Sequence, residues 1–476
     1  MAVPLFFDYH LGIETSSFSV HMSKNELSKN TLGSAESIVM GVAGTAPAFS
    51  VAVTTSAIVS SVGVLSVGSV FFCGLIMFGI VLSFMHLSKI TANAGAAYAW
   101  VGHVFGPNWG FFAGWGLLVA SVCFMVSATI PAASSTLLLI APSYVENTHA
   151  IAAIAAIWLT LITILVARGI KHSSYVQITF TILEAAVLIA VIIGGFVHYW
   201  DSPVRIPSLH WISPLSFSPE IFATGALIAI FFFWGWDVTM NLSEESKSNS
   251  QHASGSASTG AFWSVINMIL FFTIMMVVIL ISLTDEEIAN ANTNVLFAVA
   301  TKLFPEPLNY LAVFCTILST VGTIETQILQ FSRSLFSMSR DGMMNPAYSR
   351  IHPKWQTPLI ATIAIWALGI LLLFTSSYMP TVKSILSSSI LAIGFQICFY
   401  MSLAGFACAW HYRFKLGANL GSALAYVVWP LLSALFMVFI AIYSMQTFDY
   451  LTNMIGLGGL VLGFVPLYLN RMRFLW

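Results

Sequence analysis

Three carboxylic acids stand within long apolar segments of this sequence, where an ionised side chain is costly. They are Glu184 in "ITFTILEAAVLIAVI", Asp237 in "FFFWGWDVTM" and Glu325 in "STVGTIETQILQF". These segments contain no lysine, and no arginine away from a segment end, that could neutralise them. A carboxyl group that gains and loses a proton as its access alternates between two sides is the simplest device for drawing on an ion gradient.

Each of these carboxyl groups has a functional and a structural interpretation. Glu184 and Asp237 are candidate coupling residues, and Glu325 is a candidate contact for a cationic ligand. The structural alternatives are a neutral Glu184 hydrogen-bonded between helices and an Asp237 that stabilises a locally unwound helix. For Glu325 the alternative is a partner on the backbone or a buried water.

A second kind of chemistry comes from the backbone of two interrupted apolar segments. The stretch "MGVAGTAPAFS" holds Gly41, Gly44, Thr45 and Pro47, which all weaken a helix, and "FFFWGWDV" holds Gly235 among bulky aromatics. Unwound backbone survives in a membrane only where it is buried or lines a cavity. Its free N–H groups favour an anion and its free carbonyls an ammonium group, so paired interruptions predict a binding site at the bilayer midplane. The alternative is that the glycines only allow close helix packing.

Long apolar helices are needed to position these residues. Of the 476 residues, 58% are hydrophobic and 7% charged, whereas soluble domains carry about 25% charged residues. About 20 apolar residues cross a bilayer, which predicts an all-α integral membrane protein. The polar stretches 199–218 and 284–307 are expected to be loops, and segment 88–105 is expected near the membrane interface. Twelve transmembrane helices are predicted, at 36–60, 64–86, 108–138, 150–167, 175–198, 219–242, 258–283, 308–338, 358–377, 384–410, 421–443 and 451–469.

Charge and motifs set the orientation and exclude several functions. If the N-terminus is cytoplasmic, fourteen lysines and arginines fall on the cytoplasmic side and three on the other, which predicts a multi-pass cell-membrane protein with both termini cytoplasmic. The formal net charge of -1 and the absence of a basic tail speak against a nucleic-acid partner. The five isolated cysteines indicate no disulfide framework or metal site, and no cofactor is expected. No HExxH, GxSxG or P-loop motif indicates an enzyme.

Four stretches resemble the amino acid–polyamine–organocation superfamily, and the pattern is most similar to bacterial and archaeal amino acid permeases. They are "GVAGTAPAFS", "NAGAAYAWVGHVFGPNWGFFAGW", "FFFWGWDVTMNLSEESK" and "FSRSLFSMSRDGMMNPAYSRIHPKWQTP". The resemblance implies a 5+5 inverted-repeat fold with discontinuous helices 1 and 6 and two additional C-terminal helices. It divides the chain into a cytoplasmic tail (1–35), a first repeat (36–198), an extracellular loop (199–218), a second repeat (219–410) and a final part (411–476).

The resemblance also implies alternating access and a substrate that carries an amine. By analogy, the substrate carboxylate would be held by the backbone of Gly41, Val42, Ala43, Gly44 and Thr45. The amine would be held by carbonyls near Ala43 and around Phe231, Phe232, Trp234 and Gly235, with Phe231 as a gate over the substrate.

Where relatives place a lysine in helix five, this chain has Glu184, so a protonatable carboxylate replaces an ammonium group. Arg340 and Asp341 of "SRDG" are expected to anchor a gate on the cytoplasmic side. Glu244 and Glu245 are expected to form a solvated helix end.

The leading hypothesis is a secondary active transporter of an amino acid or related amine, coupled to protons and embedded in the lipid bilayer. The alternatives are a polyamine or cationic amino acid transporter, an amine exchanger, and a non-transporting amine sensor. No ATP-binding segment appears, so active transport would draw on an ion gradient.

Overall fold

The computed structural model describes residues 27–247, 255–379, 381–446 and 448–473. These ranges are helical and contain no β-strand; one isolated bridge pairs Leu32 with Ser246. Most of the predicted tail, 1–35, lies outside the described residues.

Twenty α-helices occur in the described residues. The first ten are α1 (Ser34–Thr45), α2 (Pro47–Val62), α3 (Ser66–Leu87), α4 (Ala97–Phe105), α5 (Pro107–Ile140), α6 (Thr148–Ala167), α7 (Ile170–Tyr199), α8 (Pro219–Phe232), α9 (Val238–Asn241) and α10 (Gly255–Ser282). The others are α11 (Asp285–Ala291), α12 (Val295–Leu303), α13 (Leu311–Arg340), α14 (Leu359–Ser376), α15 (Val382–His411), α16 (Leu420–Ala423), α17 (Trp429–Ser444), α18 (Tyr450–Asn453), α19 (Gly459–Val461) and α20 (Phe464–Arg473). Two π-helical turns, Leu424–Val428 and Met454–Gly458, lie inside the last two long helical runs.

Ten helical runs in the described part of the chain are long and apolar enough to cross a membrane. The first of them, Ser34–Leu87, has 54 residues, and as one helix it would be about 80 Å long against a hydrocarbon core of about 30 Å. It is divided into α1, α2 and α3, while α8 is a shorter apolar helix. The chain is therefore a multi-pass membrane protein, and the count of twelve spans stays a prediction.

The expected loop at 284–307 is wrong, because it contains α11 and α12. Helix α11 begins with a capping box in which the Thr284 hydroxyl accepts from the N–H of Glu287 and the Glu287 carboxylate accepts from the N–H of Thr284. These reciprocal bonds satisfy donors that a short helix would otherwise leave free. The stretch 199–218 is irregular, apart from two short 3₁₀ turns.

Helix α13 runs through the centre of the bundle. It packs against α1, α2, α5 and α7, and every residue from Ser319 to Ser339 is buried. This stretch carries hydroxyl and amide side chains as well as Glu325 and Arg333. Such polar side chains are stable at membrane depth only inside a bundle, in keeping with the burial of this whole stretch.

The helix bundle has two opposite ends, and each is named after one residue that lies there. The Leu32 face is the end at which α1 begins and α3, α13 and α15 end. The Asn292 face is the opposite end, at which α2 ends, α8 begins and the turn between α11 and α12 lies.

Candidate functional site

The first interrupted helix breaks at Ala46. Helix α1 ends at Thr45, Ala46 adopts a left-handed conformation with φ +47°, and α2 begins with Pro47. Pro47 has no N–H to donate to the carbonyl of Ala43, and that carbonyl instead accepts from the N–H of Ala46. The break predicted from "MGVAGTAPAFS" is confirmed.

The second interrupted helix breaks between α8 and α9. Residues 233–237 form turns, and Gly235 has φ +106°. This is a conformation that favours glycine, because any side chain would strain it. The Asp237 carboxyl lies beside the backbone of Gly235, in keeping with a role in stabilising the unwound turn.

The two interruptions meet directly. A Cβ atom at Gly44 would lie 2.7 Å from the carbonyl carbon of Gly235, and one at Gly235 would lie 3.1 Å from the Cα of Gly44. Only glycine allows such an approach of backbone to backbone. From α13, the Thr323 hydroxyl donates to the Gly44 carbonyl at 2.9 Å, so this carbonyl at the end of α1 is already satisfied by protein.

The side chain of Glu184 extends from α7 to the start of α2. Its Oε1 accepts from the N–H of Ala48 at 2.8 Å, and the next N–H, that of Phe49, donates to the Ser319 hydroxyl at 3.1 Å. The Ser319 hydroxyl also lies beside the Glu184 carboxyl. A helix N-terminus carries partial positive charge and favours an anion. The carboxylate therefore sits at the positive end of α2, whereas an ammonium group would favour the carbonyls at the end of α1.

Asp237 is held by a hydrogen-bond chain from α15. The indole Nε1 of Trp234 donates to the Tyr400 hydroxyl at 2.7 Å, and this hydroxyl donates to Asp237 Oδ2 at 2.7 Å. All three side chains are buried. The chain ties both sides of the second interruption to one tyrosine, which was not predicted from the sequence.

Four aromatic rings from α2, α5, α8 and the unwound turn after α8 pack together. The Phe124 ring centre lies 5.9 Å from that of Phe49, 5.9 Å from that of Phe231 and 5.3 Å from that of Trp234. Each ring is buried. Phe231, the residue that the resemblance implies as a gate, is thus packed within an aromatic cluster.

A cavity of about 310 Å³ lies at the Asn292 face, and its lining ends one helical turn before this cluster. Its lining includes Val53 and Leu227, one helical turn beyond Phe49 and Phe231 respectively. None of the described residues that line it is ionisable. Its polar lining is formed by Ser56, Ser60, Ser61, Thr224, Asn292, Ser387 and Ser444.

Three of the predicted site residues lie away from the Gly44–Gly235 contact. A Cβ atom at Gly41 would lie 2.6 Å from the hydroxyl oxygen of Ser264 on α10, so Gly41 packs one helix on another. The Phe232 ring packs on the ring of Phe272, which is also on α10, and the two ring centres are 5.2 Å apart. Glu325 is buried, and its position is about 200° around α13 from Thr323, at 100° per residue.

The remaining predicted residues lie at or near the end of α1. Ala43 and Thr45 are buried and Val42 is half-buried, and the Thr45 hydroxyl donates to the Val42 carbonyl at 2.7 Å. Residues 41–45 belong to α1, so this segment ends in carbonyl groups, and the N–H groups without a partner inside a helix begin with α2. Binding of substrate by these residues stays a prediction.

The Leu32 face is closed by ion pairs. The Arg333 guanidinium donates to both carboxylate oxygens of Glu245, and both side chains are fully buried. The expectation of a solvated Glu245 is therefore wrong. Its neighbour Glu244 pairs with Arg340 in a more exposed position, and Arg340 also lies 3.9 Å from Asp341.

The chain segment before α1 is tied to the same place by backbone hydrogen bonds. The N–H groups of Thr31 and Leu32 donate to the Glu245 carbonyl at 2.8 and 3.2 Å, and the N–H of Lys247 donates to the Leu32 carbonyl at 2.7 Å. The start of α1 and the segment that follows α9 are thus joined edge to edge.

The polar stripe of α13 that serves these contacts was not predicted from the sequence. Ser319 and Thr323 bond the first interruption, Gln330 and Ser334 bond Asn241 on α9, and Ser337 bonds Asn93. These α13 positions recur every three, four or seven residues, so they share one helix face. This spacing was the available signal.

The chain is a multi-pass helical membrane protein in which two discontinuous helices meet backbone to backbone. A family model described as amino acid permease matches residues 32–465. The chain therefore belongs to the amino acid permease family, within the amino acid–polyamine–organocation superfamily.

Individual relatives are similar at lower coverage. The serine/threonine exchanger SteT of Bacillus subtilis is 26% identical over 320 residues, which cover 65% of this chain and 67% of the relative. The branched-chain amino acid permease BcaP of the same organism is 25% identical over 316 residues, covering 63% and 64%. The low-affinity putrescine importer PlaP of Escherichia coli K12 is 25% identical over 300 residues, covering 61% and 63%.

Proposed function

We propose that this chain is a proton-coupled secondary transporter that moves an amino acid with an uncharged side chain by alternating access. The observation that carries the proposal is the backbone contact between Gly44 and Gly235, where two broken helices meet. Free backbone groups at such breaks recognise the carboxylate and amine that all α-amino acids share. Membership of the amino acid permease family supports the same class of substrate.

The helix ends suggest how the substrate is oriented. The N–H groups of Ala48 and Phe49 at the positive end of α2, which bond Glu184 and Ser319 in this structure, suit a substrate carboxylate that would replace these partners. The unwound turn after Phe232 offers carbonyls, which suit an ammonium group, whereas the Gly44 carbonyl at the negative end of α1 is already bonded by the Thr323 hydroxyl. This places the carboxylate one turn later than the resemblance implies, at the start of α2 instead of the end of α1.

Glu184 is the group that couples this binding to protons. Its carboxylate bonds the N–H of Ala48, one of the two donors proposed for the substrate. An ionised Glu184 and a substrate carboxylate therefore compete for the same donor and repel each other. A protonated Glu184 removes the repulsion, so proton and substrate bind together. Asp237, tied to Tyr400, is the second coupling candidate.

An uncharged side chain is favoured by the cavity that leads to the site. Its polar lining consists of hydroxyl groups and one amide, with no ionisable side chain among the described residues. A dication entering this path would lose hydration without meeting an opposite charge, which is unfavourable. A polyamine or cationic amino acid would instead require an acidic contact, for which the sequence offers Glu325.

The membrane layout completes the proposal. Counting α1 with α2 as one span and α8 with α9 as another gives twelve spans, with two five-helix repeats of opposite orientation before the last two. The Leu32 face is cytoplasmic on the lysine and arginine distribution. The cavity at the Asn292 face then opens to the outside, while ion pairs close the cytoplasmic side.

The test begins with a ligand and ends with a single substitution. Purified protein is screened by thermal shift against amino acids and polyamines, because a ligand that binds only the folded state raises stability. The best ligand is then used for uptake into proteoliposomes with an inward proton gradient.

Glu184→Gln keeps a hydrogen-bond acceptor near Ala48 and cannot ionise. We expect it to lose gradient-driven accumulation while counterflow into preloaded vesicles persists. The matched control is Glu220→Gln, an exposed glutamate at the start of α8.

The outcomes separate the alternatives. Gradient-driven accumulation by Glu184→Gln at the wild-type level would contradict coupling through Glu184. Counterflow without gradient-driven uptake in the wild type would favour an exchanger, and binding without either would favour a sensor. A thermal shift with putrescine or lysine and none with neutral amino acids would contradict the proposed substrate class.

A further inference from the structure

A group of basic side chains lies at the Leu32 face, outside the site described above. Lys89 follows the end of α3, and Arg413 and Lys415 follow the end of α15. The Lys89 ammonium lies 5.3 Å and the Lys415 ammonium 5.7 Å from the centre of the Tyr426 ring. Two cations from distant parts of the sequence thus border a single aromatic ring, called the Tyr426 site below.

The Tyr426 site is rigidly built. The Tyr426 ring stacks on His86 with centres 3.6 Å apart, and the Tyr412 hydroxyl donates to the His86 carbonyl at 2.9 Å. The Lys89 ammonium lies 3.2 Å from the Tyr426 hydroxyl and 3.3 Å from His86 Nδ1. These contacts hold Lys89 in position before any ligand arrives.

The charge of these cations is not balanced by a carboxylate within the described part of the chain. In the described residues, Lys89, Arg413 and Lys415 form no ion pair with a carboxylate. The sequence has no aspartate or glutamate at all in 37–145 or 342–448, the ranges that supply every element of the site. Like charges held around one ring repel each other, and an anion bound between them would remove this cost.

The surroundings indicate that the anion belongs to a lipid. The helical runs that end or begin here, at Leu87, His411 and Leu420, are membrane-span candidates, so the site lies at the level of a membrane surface. Next to it the large apolar side chains Trp410 and Phe414 are exposed. Exposed apolar side chains at span ends suit contact with lipid chains and headgroups.

We propose that the Tyr426 site binds the phosphate of an anionic phospholipid. Basic pockets between transmembrane helices on the cytoplasmic side recognise such headgroups. The lysines would contact the phosphate, and the exposed apolar side chains would contact the acyl chains. This site is separate from the proposed transport site, because it lies at the ends of α3 and α15 and includes none of the residues proposed to bind substrate or protons.

The test measures lipid binding directly. The full chain in neutral detergent is titrated with phosphatidylglycerol, and bound lipids are counted by native mass spectrometry. We expect the double variant Lys89→Gln/Lys415→Gln to bind about thirty-fold more weakly than wild type, since each lysine near an anionic lipid contributes about 1 kcal/mol. Lys89→Arg/Lys415→Arg keeps both charges and should keep most of the binding, which separates charge loss from misfolding.

Matched controls define the result that would overturn the proposal. Arg350→Gln/Lys354→Gln removes two exposed basic side chains elsewhere and should leave phosphatidylglycerol binding unchanged. Phosphatidylcholine, which has no net charge, should bind wild type weakly. Equal binding of phosphatidylglycerol by wild type and Lys89→Gln/Lys415→Gln would overturn the proposal. So would full displacement of the lipid by millimolar inorganic phosphate, which would assign the site to a free anion.

Discussion

Two arginine–glutamate pairs at the Leu32 face each form two hydrogen bonds and differ in burial, and this allows the ion pairs of that face to be tested quantitatively. Arg333 donates to Glu245 at 3.0 and 3.1 Å, and both side chains are 0% exposed. Arg340 donates to Glu244 at 3.0 and 2.9 Å, and these side chains are 38% and 21% exposed. Burial is therefore the main variable that separates the pairs.

The expected magnitudes follow from this difference in burial. Removing one member of the buried pair leaves an uncompensated charge and should cost about 3–5 kcal/mol of unfolding free energy. Removing both charges at once, in Arg333→Met/Glu245→Leu, should bring stability back close to that of the wild type, since an apolar pair of similar volume often equals a buried ion pair. The exposed pair is worth about 0.2–1 kcal/mol, so Arg340→Met should lose no more than that.

The assay is a double-mutant cycle on the free energy of unfolding, measured by reversible denaturation in mixed micelles. It compares wild type, Arg333→Met, Glu245→Leu and the double variant, with Arg340→Met as the matched control. A double variant that loses the sum of the two single losses would refute the reasoning, because the charges would then not be acting on each other. Equal losses for Arg333→Met and Arg340→Met would refute the role of burial.

Three further predictions concern the interrupted helices and helix α11 at the Asn292 face. Gly235→Ala should abolish ligand-induced thermal stabilisation, because its Cβ atom would collide with the backbone of Gly44 and its φ of +106° strains any side chain. The control Gly458→Ala, whose Cβ atom would have no neighbour within 4 Å, should keep the stabilisation. Ligand-induced stabilisation of Gly235→Ala would contradict the argument from close contact. Tyr400→Phe removes the buried hydrogen bonds to Trp234 and Asp237 and should lower the unfolding free energy by about 1–3 kcal/mol for each partner left unbonded. The measurement uses the same micelles, and an unchanged unfolding free energy would contradict a role of these bonds in stability. The hydrogen bond from Lys302, followed by that from the Thr284 backbone, holds the pKa of Glu287 below its usual range. The stability that this carboxylate gives to α11 is therefore present above its ordinary pKa and is lost as pH falls through the lowered value. Hydrogen exchange in α11, corrected for intrinsic rates, should rise at acid pH, and Glu287→Gln should show no such change.

The interruptions could be predicted from the sequence because their causes are local. Pro47 removes a donor wherever it stands, and Gly235 lacks the side chain that would resist a positive φ. Membrane-span candidates are equally local, since a long apolar run is costly to leave in water. These features need no knowledge of neighbouring helices.

The partners of the polar groups could not be predicted, because they come from distant parts of the chain. Glu184 bonds Ala48 across 136 positions, and Arg333 reaches Glu245 across 88. An acidic pair following a helix, as in Glu244 and Glu245, has the composition of a solvated end. Only the packing of α13 beside it turns one of the two into a buried ion-pair partner.

The backbone tie between Leu32 and Glu245 limits how the Leu32 face can open. Three hydrogen bonds join the start of α1 to the segment after α9, and breaking them would cost about 0.5–1.5 kcal/mol each. Helix α1, the first half of one broken helix, is therefore mechanically coupled to α9, the second half of the other. A motion that moves the start of α1 away from the bundle must therefore carry the segment after α9 with it or break these three hydrogen bonds.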